Sequence, residues 1–157
     1  MPAIQRVGLI AKHHLDAAAG VLVELDRWLA TRGIVAVFET DTAALIGEAA
    51  SRPTLSRDDL PAACDLVLVL GGDGTFIGMA GRIARSGTDV PILGVNFGSL
   101  GFLTEITMPE LYATLEGVLS GTYRSEQRRM LRKPPPRRRS RMVVPARICR
   151  QSLRRDR

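Results

Sequence analysis

Hydrophobic and polar residues alternate along the first 123 positions in a pattern that predicts strands and helices in turn. Four short apolar runs have the length and composition of strands buried on both faces: Arg6–Ala11, Ile34–Phe38, Leu66–Leu70 and Pro91–Val95. The stretches between and after them predict four helices: Asp16 to about Arg32, 41–50, 76–85 and Pro109–Leu119. The polar stretch Pro53–Pro61 is expected to be a loop.

The first predicted helix has the clearest boundaries. Asp16 is expected to cap its beginning, and Gly33 stands where a glycine commonly ends a helix. Its apolar positions fall on one stripe: Val21, Leu22, Leu25, Trp28 and Leu29.

The order of these elements predicts the fold class. Strands that alternate with helices favour an α/β domain, a mostly parallel sheet with helices on both faces, like a Rossmann or flavodoxin fold. Such sheets bind ligands at the carboxyl ends of their strands, where the strand order reverses. The loops after Leu70 and Val95 are expected to lie there.

Charge divides the chain into two parts near Tyr123. Residues 1–123 carry 8 Lys or Arg against 14 Asp or Glu, whereas residues 124–157 carry 14 against 2. We therefore expect a folded domain over 1–123 and a disordered, Arg- and Pro-rich tail over 124–157. The tail is compatible with a basic arm for an anionic partner, or with a reading-frame slip in a GC-rich gene.

Composition narrows the function classes further. No apolar run approaches the roughly 18 residues of a membrane span, and the N-terminus lacks a secretion signal. Cys64 and Cys149 lack the spacing of a zinc site, so no metal site is predicted. Aromatic residues make up only 4 %, which argues against nucleic-acid binding by base stacking. A cytoplasmic protein is expected.

The segment Gly71-Gly72-Asp73-Gly74-Thr75 falls between a predicted strand and a predicted helix. Glycines there allow a sharp turn and close approach of the backbone to a phosphate, beside the N–H groups that begin a helix. A carboxylate repels phosphate, so Asp73 suits a hydroxyl or a metal ion better. The alternative is that Asp73 merely caps the helix.

Two common nucleotide motifs do not fit this chain. It contains no GxxxxGK[ST], which argues against a P-loop enzyme. The glycines around Asp73 miss the dinucleotide spacing by one residue, and Asn96 stands about where a dehydrogenase would carry an acid. Hydride transfer is therefore a weak hypothesis.

A second glycine-containing segment, Asn96 to Glu105 with sequence NFGSLGFLTE, follows the next apolar strand. Phe97 and Phe102 in it offer flat faces for a purine, or for ordinary loop packing. His13 and His14 follow the first strand and are compatible with a phosphate contact or a solvated pair, and as neighbours on an extended chain their side chains should point apart.

Together the two glycine-containing segments resemble the bacterial NAD kinase family, over about Arg6 to Leu131. The GGDGT pentapeptide alone is shared with diacylglycerol and sphingosine kinases, whereas the Gly-Phe-Leu of the second segment separates NAD kinases from them. The resemblance implies transfer of a phosphoryl group from ATP or polyphosphate, with Mg²⁺, to the adenosine-ribose 2′-hydroxyl of NAD.

The resemblance also implies roles for residues. Asp73 matches the family's catalytic acid, which accepts the hydroxyl proton, and Phe102 matches an aromatic near the adenine. The nucleotide-binding residues are expected among the two segments: Gly71, Gly72, Asp73, Gly74, Thr75, Phe76, Asn96, Gly98, Leu100, Gly101 and Phe102.

The chain departs from the family after about Leu131. NAD kinases continue into a β-rich C-terminal domain that supplies an Asn-Glu or Asn-Asp pair and much of the oligomer interface. No Asn follows Asn96 here, so we expect that domain to be missing, activity to be weak or absent, and the family's homo-oligomer to be doubtful. The remaining alternatives are a lipid kinase relative, and a non-catalytic nucleotide- or nucleic-acid-binding protein.

Overall fold

The computed structural model describes residues 4–47, 52–98, 101–123, 125–128 and 130. Within them lie six strands and five α-helices, which alternate along the chain except for two consecutive strands before the last helix. The strands are β1 (Arg6–Ala11), β2 (Val35–Glu39), β3 (Thr54–Leu55), β4 (Leu66–Gly71), β5 (Ile92–Asn96) and β6 (Ile106–Thr107). The helices are α1 (Ala18–Ala30), α2 (Thr40–Leu45), α3 (Leu60–Ala63), α4 (Asp73–Ser86) and α5 (Leu111–Leu119), with a 3₁₀ turn at Met108–Glu110.

The described strands form one parallel sheet in the order β3-β2-β1-β4-β5-β6. This confirms the predicted α/β, Rossmann-like class. The order reverses between β1 and β4, so the loop after β4 borders the point where such sheets bind ligands, and the loop after β5 lies one strand further out. Gly71 pairs with Asn96, so both predicted loops leave the sheet at the same level.

Helices cover both faces of the sheet. On one face, Leu68 and Leu70 of β4 join a cluster with the apolar stripe of α1 and with α5. On the other face, Val67 and Val69 of β4 pack with Leu60 of α3 and Met79 of α4. Successive strand residues point to opposite faces, so the unbroken apolar run of β4 is buried throughout.

Several predicted boundaries are wrong. Asp16 does not cap α1 with its side chain; instead its backbone carbonyl accepts the N–H of Ala19 at 3.0 Å. The predicted loop Pro53–Pro61 contains β3 and the start of α3, and β6 has no counterpart among the predicted strands. Helix α4 begins at Asp73, three residues before the predicted start, because the glycine turn is shorter than expected.

Gly94 of β5 fixes how closely α4 and the second loop approach the sheet. A Cβ at this position would stand 2.6 Å from Cδ2 of Phe76 and 2.9 Å from Cγ2 of Thr104. We expect Gly94→Ala to lower the free energy of unfolding by about 1–3 kcal/mol, measured by urea denaturation, because side chains packed on both sides must move.

Gly20→Ala is the matched control. Gly20 lies in α1, and a Cβ added there would meet nothing within 4 Å, so alanine should leave stability unchanged or raise it by about 0.5–1 kcal/mol. A Gly94 variant as stable as the Gly20 variant would contradict this packing.

Candidate functional site

The turn between β4 and α4 exposes the beginning of a helix to the carboxyl edge of the sheet. Gly72 is the N-cap residue, with extended backbone (φ −104°, ψ −175°) and no side chain to cap the helix. Its carbonyl accepts the N–H groups of Thr75 and Phe76, at 3.1 and 3.2 Å. The N–H groups that precede them lack a side-chain cap, which is the arrangement that binds anions at helix N-termini.

Asp73 joins the two glycine-containing segments. Its Oδ2 accepts the N–H of Phe102 at 2.9 Å, and its Oδ1 accepts the N–H groups of Leu103 and Thr104, each at 3.1 Å. The hydroxyl of Thr104 donates a fourth bond to Oδ1, also at 3.1 Å. Asp73 therefore does more than begin a helix: its carboxylate holds a loop about 30 residues further along the chain.

These hydrogen bonds set the charge state of Asp73. The N–H groups of Phe102 and Leu103 contribute most to lowering its pKa, and partial burial opposes them without reversing the shift. The carboxylate is therefore ionised at neutral pH. Each carboxylate oxygen has about two acceptor positions. Three donors share Oδ1, whereas Oδ2 accepts only the N–H of Phe102, so the open position for a ligand is on Oδ2.

Gly101 allows this contact to form. A Cβ on Gly101 would stand 2.6 Å from Oγ1 of Thr104 and would overlap Oδ1 of Asp73. The next side chain, Phe102, is 90 % exposed even though its N–H is bound to Asp73. The backbone of an exposed phenylalanine is thus bound to the carboxylate, and such an exposed ring is accessible to a ligand.

Other predicted site residues occupy different surroundings. Asn96 is buried and its Oδ1 accepts the N–H of Gly98 at 2.9 Å; both line a separate pocket of about 350 Å³ with Phe97, Thr107, Met108 and Pro109. This pocket lies at the carboxyl ends of β5 and β6.

Phe76 and Thr75 have mainly packing contacts. Phe76 is partly buried and packs against the core cluster on this face of the sheet and against Gly94, and its role in nucleotide binding stays a prediction. Thr75 lies close to Gly71 and shapes the turn. Leu100, another predicted binding residue, lies outside the described residues.

The loop after β1 is the part of this edge that the sequence analysis underestimated. The N–H of Lys12 donates to the carbonyl of Leu70 at 2.9 Å, and a Cβ on Gly71 would stand 3.2 Å from Cβ of Lys12. Lys12 therefore abuts the glycine turn. The sequence shows that Lys12 directly follows an apolar strand, which marks it as a residue of this edge. It does not show that this strand pairs with β4, which is what brings Lys12 to the glycine turn.

Glu39, the acid at the end of β2, serves the fold. Glu39 is 2 % exposed, accepts the N–H and hydroxyl of Thr42 at 3.0 and 2.8 Å, and pairs with Arg57 at 3.3 Å. The Thr42 hydroxyl in turn accepts the N–H of Ala11 at 2.9 Å, which fixes the end of β1. This carboxylate is not available to a ribose, which agrees with the weak case for hydride transfer.

The described part of the chain offers no group of three or more His, Cys, Asp and Glu side chains able to hold a metal ion. In the same residues, none of the helices combines the length and the apolar character needed to cross a bilayer.

Glu39 predicts a pH-dependent stability. Burial raises its pKa, but the bonds from Thr42 and Arg57 together outweigh burial, so the folded pKa lies below the ordinary value of about 4.3. The stabilisation is then present at neutral pH and is lost as the pH falls through the folded pKa. Glu39→Gln should lower the free energy of unfolding by about 1–3 kcal/mol at pH 7, and by less below about pH 4.

Urea denaturation at several pH values measures this difference, with Glu105→Gln, which removes an exposed carboxylate, as the control. A Glu39→Gln deficit that does not shrink in acid would argue against the ionised pair.

Two glycines of the second segment provide a matched test of the Asp73 contact. Gly101→Ala should displace the Phe102–Thr104 loop, whereas Gly98→Ala should not, because only Asn96 Oδ1, at 4.0 Å, lies near a Cβ there. Amide exchange at Phe102, Leu103 and Thr104 should accelerate at least about tenfold in the Gly101 variant alone. Equal protection in both variants would contradict the observed contact.

Comparison with known proteins shows the family of this chain. The family model described as the ATP-NAD kinase N-terminal domain matches residues 7–123. The NAD kinases of Geotalea daltonii and Geobacter sulfurreducens are 45 % and 43 % identical to this chain; each match covers 82 % of it, but only 44 % and 43 % of the relative. The NAD kinase of Solibacter usitatus is 40 % identical over 83 % of this chain.

A solved structure of yeast NADH kinase complexed with NADH has the same fold. Its TM-score is 0.64 at 24 % identity, and the match covers 76 % of this chain and 39 % of the yeast chain. The chain thus spans less than half the length of the curated relatives named above. The family match over residues 7–123 and the identities of 40–45 % lead to one conclusion: this chain belongs to the ATP-NAD kinase N-terminal domain family.

Proposed function

We propose that this chain forms the N-terminal part of an NAD kinase active site, in which a phosphoryl group passes from ATP or polyphosphate to the adenosine-ribose 2′-hydroxyl of NAD. The single observation that carries the proposal is the bond between the Asp73 carboxylate and the Phe102–Thr104 loop. It places a hydroxyl acceptor, an exposed aromatic ring and the uncapped N-terminus of α4 beside one another.

Asp73 is the proposed catalytic residue. The remaining acceptor position on Oδ2 receives the ribose hydroxyl and orients its oxygen toward the terminal phosphorus. The new P–O bond forms as the bond to the bridging oxygen of the donor breaks, and the proton passes to the carboxylate. The lowered pKa makes Asp73 a weak base, which suits phosphoryl transfer because catalysis there consists largely of positioning and charge stabilisation.

The other binding residues have proposed roles that follow from their places. Gly71 and Gly72 shape the turn that faces the phosphates, with Thr75 packed against it, and Gly74 lies at the ribose. Phe102 stacks on the adenine, and Gly101 permits its approach. Asn96 and Gly98 hold the beginning of the second loop through their own hydrogen bond.

A divalent cation fits this site as a companion of the donor. The described residues provide no set of ligands for one, and four hydrogen bonds already engage Asp73, so the donor phosphates would supply most of the coordination to Mg²⁺. Bound there, Mg²⁺ would neutralise the charge that develops on the phosphates.

The domain assignment is also a proposal. Residues 1–123 are the nucleotide-binding domain and residues 124–157 a basic, Arg- and Pro-rich stretch of the sequence outside it, in a protein of the cytoplasm. Since the chain spans less than half the length of its relatives, we expect NADP formation by this chain to be slow or absent, and NAD binding to be the more sensitive test.

NAD titration of the full chain tests the proposal. Phe102→Ala should weaken binding by about 1–3 kcal/mol, the usual value of a base stacked on an aromatic ring. Val35→Ala is the control, because Val35 is also an exposed apolar side chain, at 46 %, but is the first residue of β2, at the opposite edge of the sheet from the second loop. NAD binding that is equal in the two variants would remove Phe102 from the site.

Enzyme assays complete the test. Any NADP formed from ATP, Mg²⁺ and NAD should disappear in Asp73→Asn, since an amide offers a donor where the hydroxyl needs an acceptor. Diacylglycerol in place of NAD should gain no phosphate. Phosphorylated lipid, or equal NADP formation by the Asn variant, would count against the assignment.

A further inference from the structure

A second pocket opens beside the glycine turn, and the proposed chemistry at Asp73 does not use it. It has a volume of about 230 Å³ and lies between the loop after β1 and helix α2. Its lining is made of Ala11, Lys12, His13, His14, Asp41, Ala44 and Leu45. We propose that this pocket binds the polyphosphate chain of the phosphoryl donor, with Lys12 as its principal charged contact; the inference rests on the proposed kinase function.

The position of Lys12 connects the pocket to the reacting centre. Strands β1 and β4 are neighbours at the point where the strand order reverses. The backbone N–H of Lys12 is bound to Leu70, and Gly71 leaves no room for a side chain between itself and Lys12. A phosphate chain that meets the N–H groups after Gly72 would therefore extend directly past Lys12.

The lining holds one lysine and one acid, and the acid faces a histidine. Lys12 is exposed and makes no ion pair with any other described residue, so its ammonium group is available to a ligand. The carboxylate of Asp41 is the one acid in the lining, and it lies 3.4 Å from Nε2 of His13. Lys12 thus has no ion-pair partner among the described residues, although the domain carries a net negative charge, and such a positive charge suits a phosphate.

The two histidines are brought together by the backbone. His14 has φ +56°, in the left-handed region, and the two rings lie with their centroids 6.3 Å apart. They do not point apart as neighbours on an extended strand would, so the expectation of diverging side chains is wrong. The turn presents both rings to the same pocket as Lys12, where their N–H groups add donors for phosphate oxygens.

Titration of the full chain with inorganic tripolyphosphate tests the pocket, with the ring resonances of His13 and His14 and the amides of residues 71–75 as reporters. Lys12→Ala should weaken binding about 3- to 10-fold through the loss of one charged contact. Arg27→Ala, which removes an exposed charge from α1, is the control and should weaken binding less than about 2-fold. Asp41→Asn should strengthen binding about 2-fold, because a repelling carboxylate is gone.

The proposal is overturned if tripolyphosphate perturbs residues 71–75 while the histidine rings and the Lys12 variant stay unaffected, or if tripolyphosphate does not bind at all. Neither result decides the proposed function, because NAD binding at Phe102 is measured separately. A parallel titration with ATP distinguishes the donors. A nucleotide donor is indicated if ATP binds more tightly than tripolyphosphate and Lys12→Ala weakens the binding of both by the same factor. Equal affinities for ATP and tripolyphosphate indicate that only the phosphate chain is recognised.

Discussion

The carboxylate of Asp73 is the junction on which the site depends. Three backbone N–H groups and one hydroxyl converge on it from the Phe102–Thr104 loop. These charge-assisted hydrogen bonds hold the backbone of the loop that carries the exposed Phe102. The same bonds lower the pKa of Asp73 and direct the remaining acceptor position outward, so one interaction sets both the geometry and the chemistry.

The sheet makes that junction possible. Parallel pairing of Gly71 with Asn96 brings the two glycine-containing segments out at the same edge, and β4, which leads into the first of them, is buried on both faces. The lack of a side chain at two glycines is also required, because a Cβ at Gly94 or Gly101 would collide with Thr104 and push the second loop away. On the other side of β4, Gly71 allows the loop after β1 to come as close, which places Lys12 beside the turn.

Sequence patterns predicted the parts of the fold that local physics determines. The apolar run at Leu66–Leu70 and the glycines after it predicted strand and turn correctly, and two such loops on one edge led to the NAD kinase resemblance. The sequence did not predict β6, because two residues are too few to show a strand pattern and the strand forms through its pairing with β5. Glu39 was missed for a similar reason, because its partner Arg57 lies 18 residues away and meets it only through the packing of β2 and the loop before α3. Of the residues that hold Asp73, the sequence analysis named only Phe102, and for another role, because backbone donors leave no trace in side-chain patterns.

NMR tests the contact between Asp73 and the Phe102–Thr104 loop most directly. The resonance of the Asp73 carboxyl carbon is followed as the pH is lowered, together with the amide resonances of Phe102, Leu103 and Thr104. A carboxylate that holds this loop should titrate below the ordinary value of about 3.9, and the three amides should shift with the same midpoint as their acceptor is protonated. An Asp73 that titrates at or above the ordinary value, while those amides do not respond, would mean that the two segments do not meet as described.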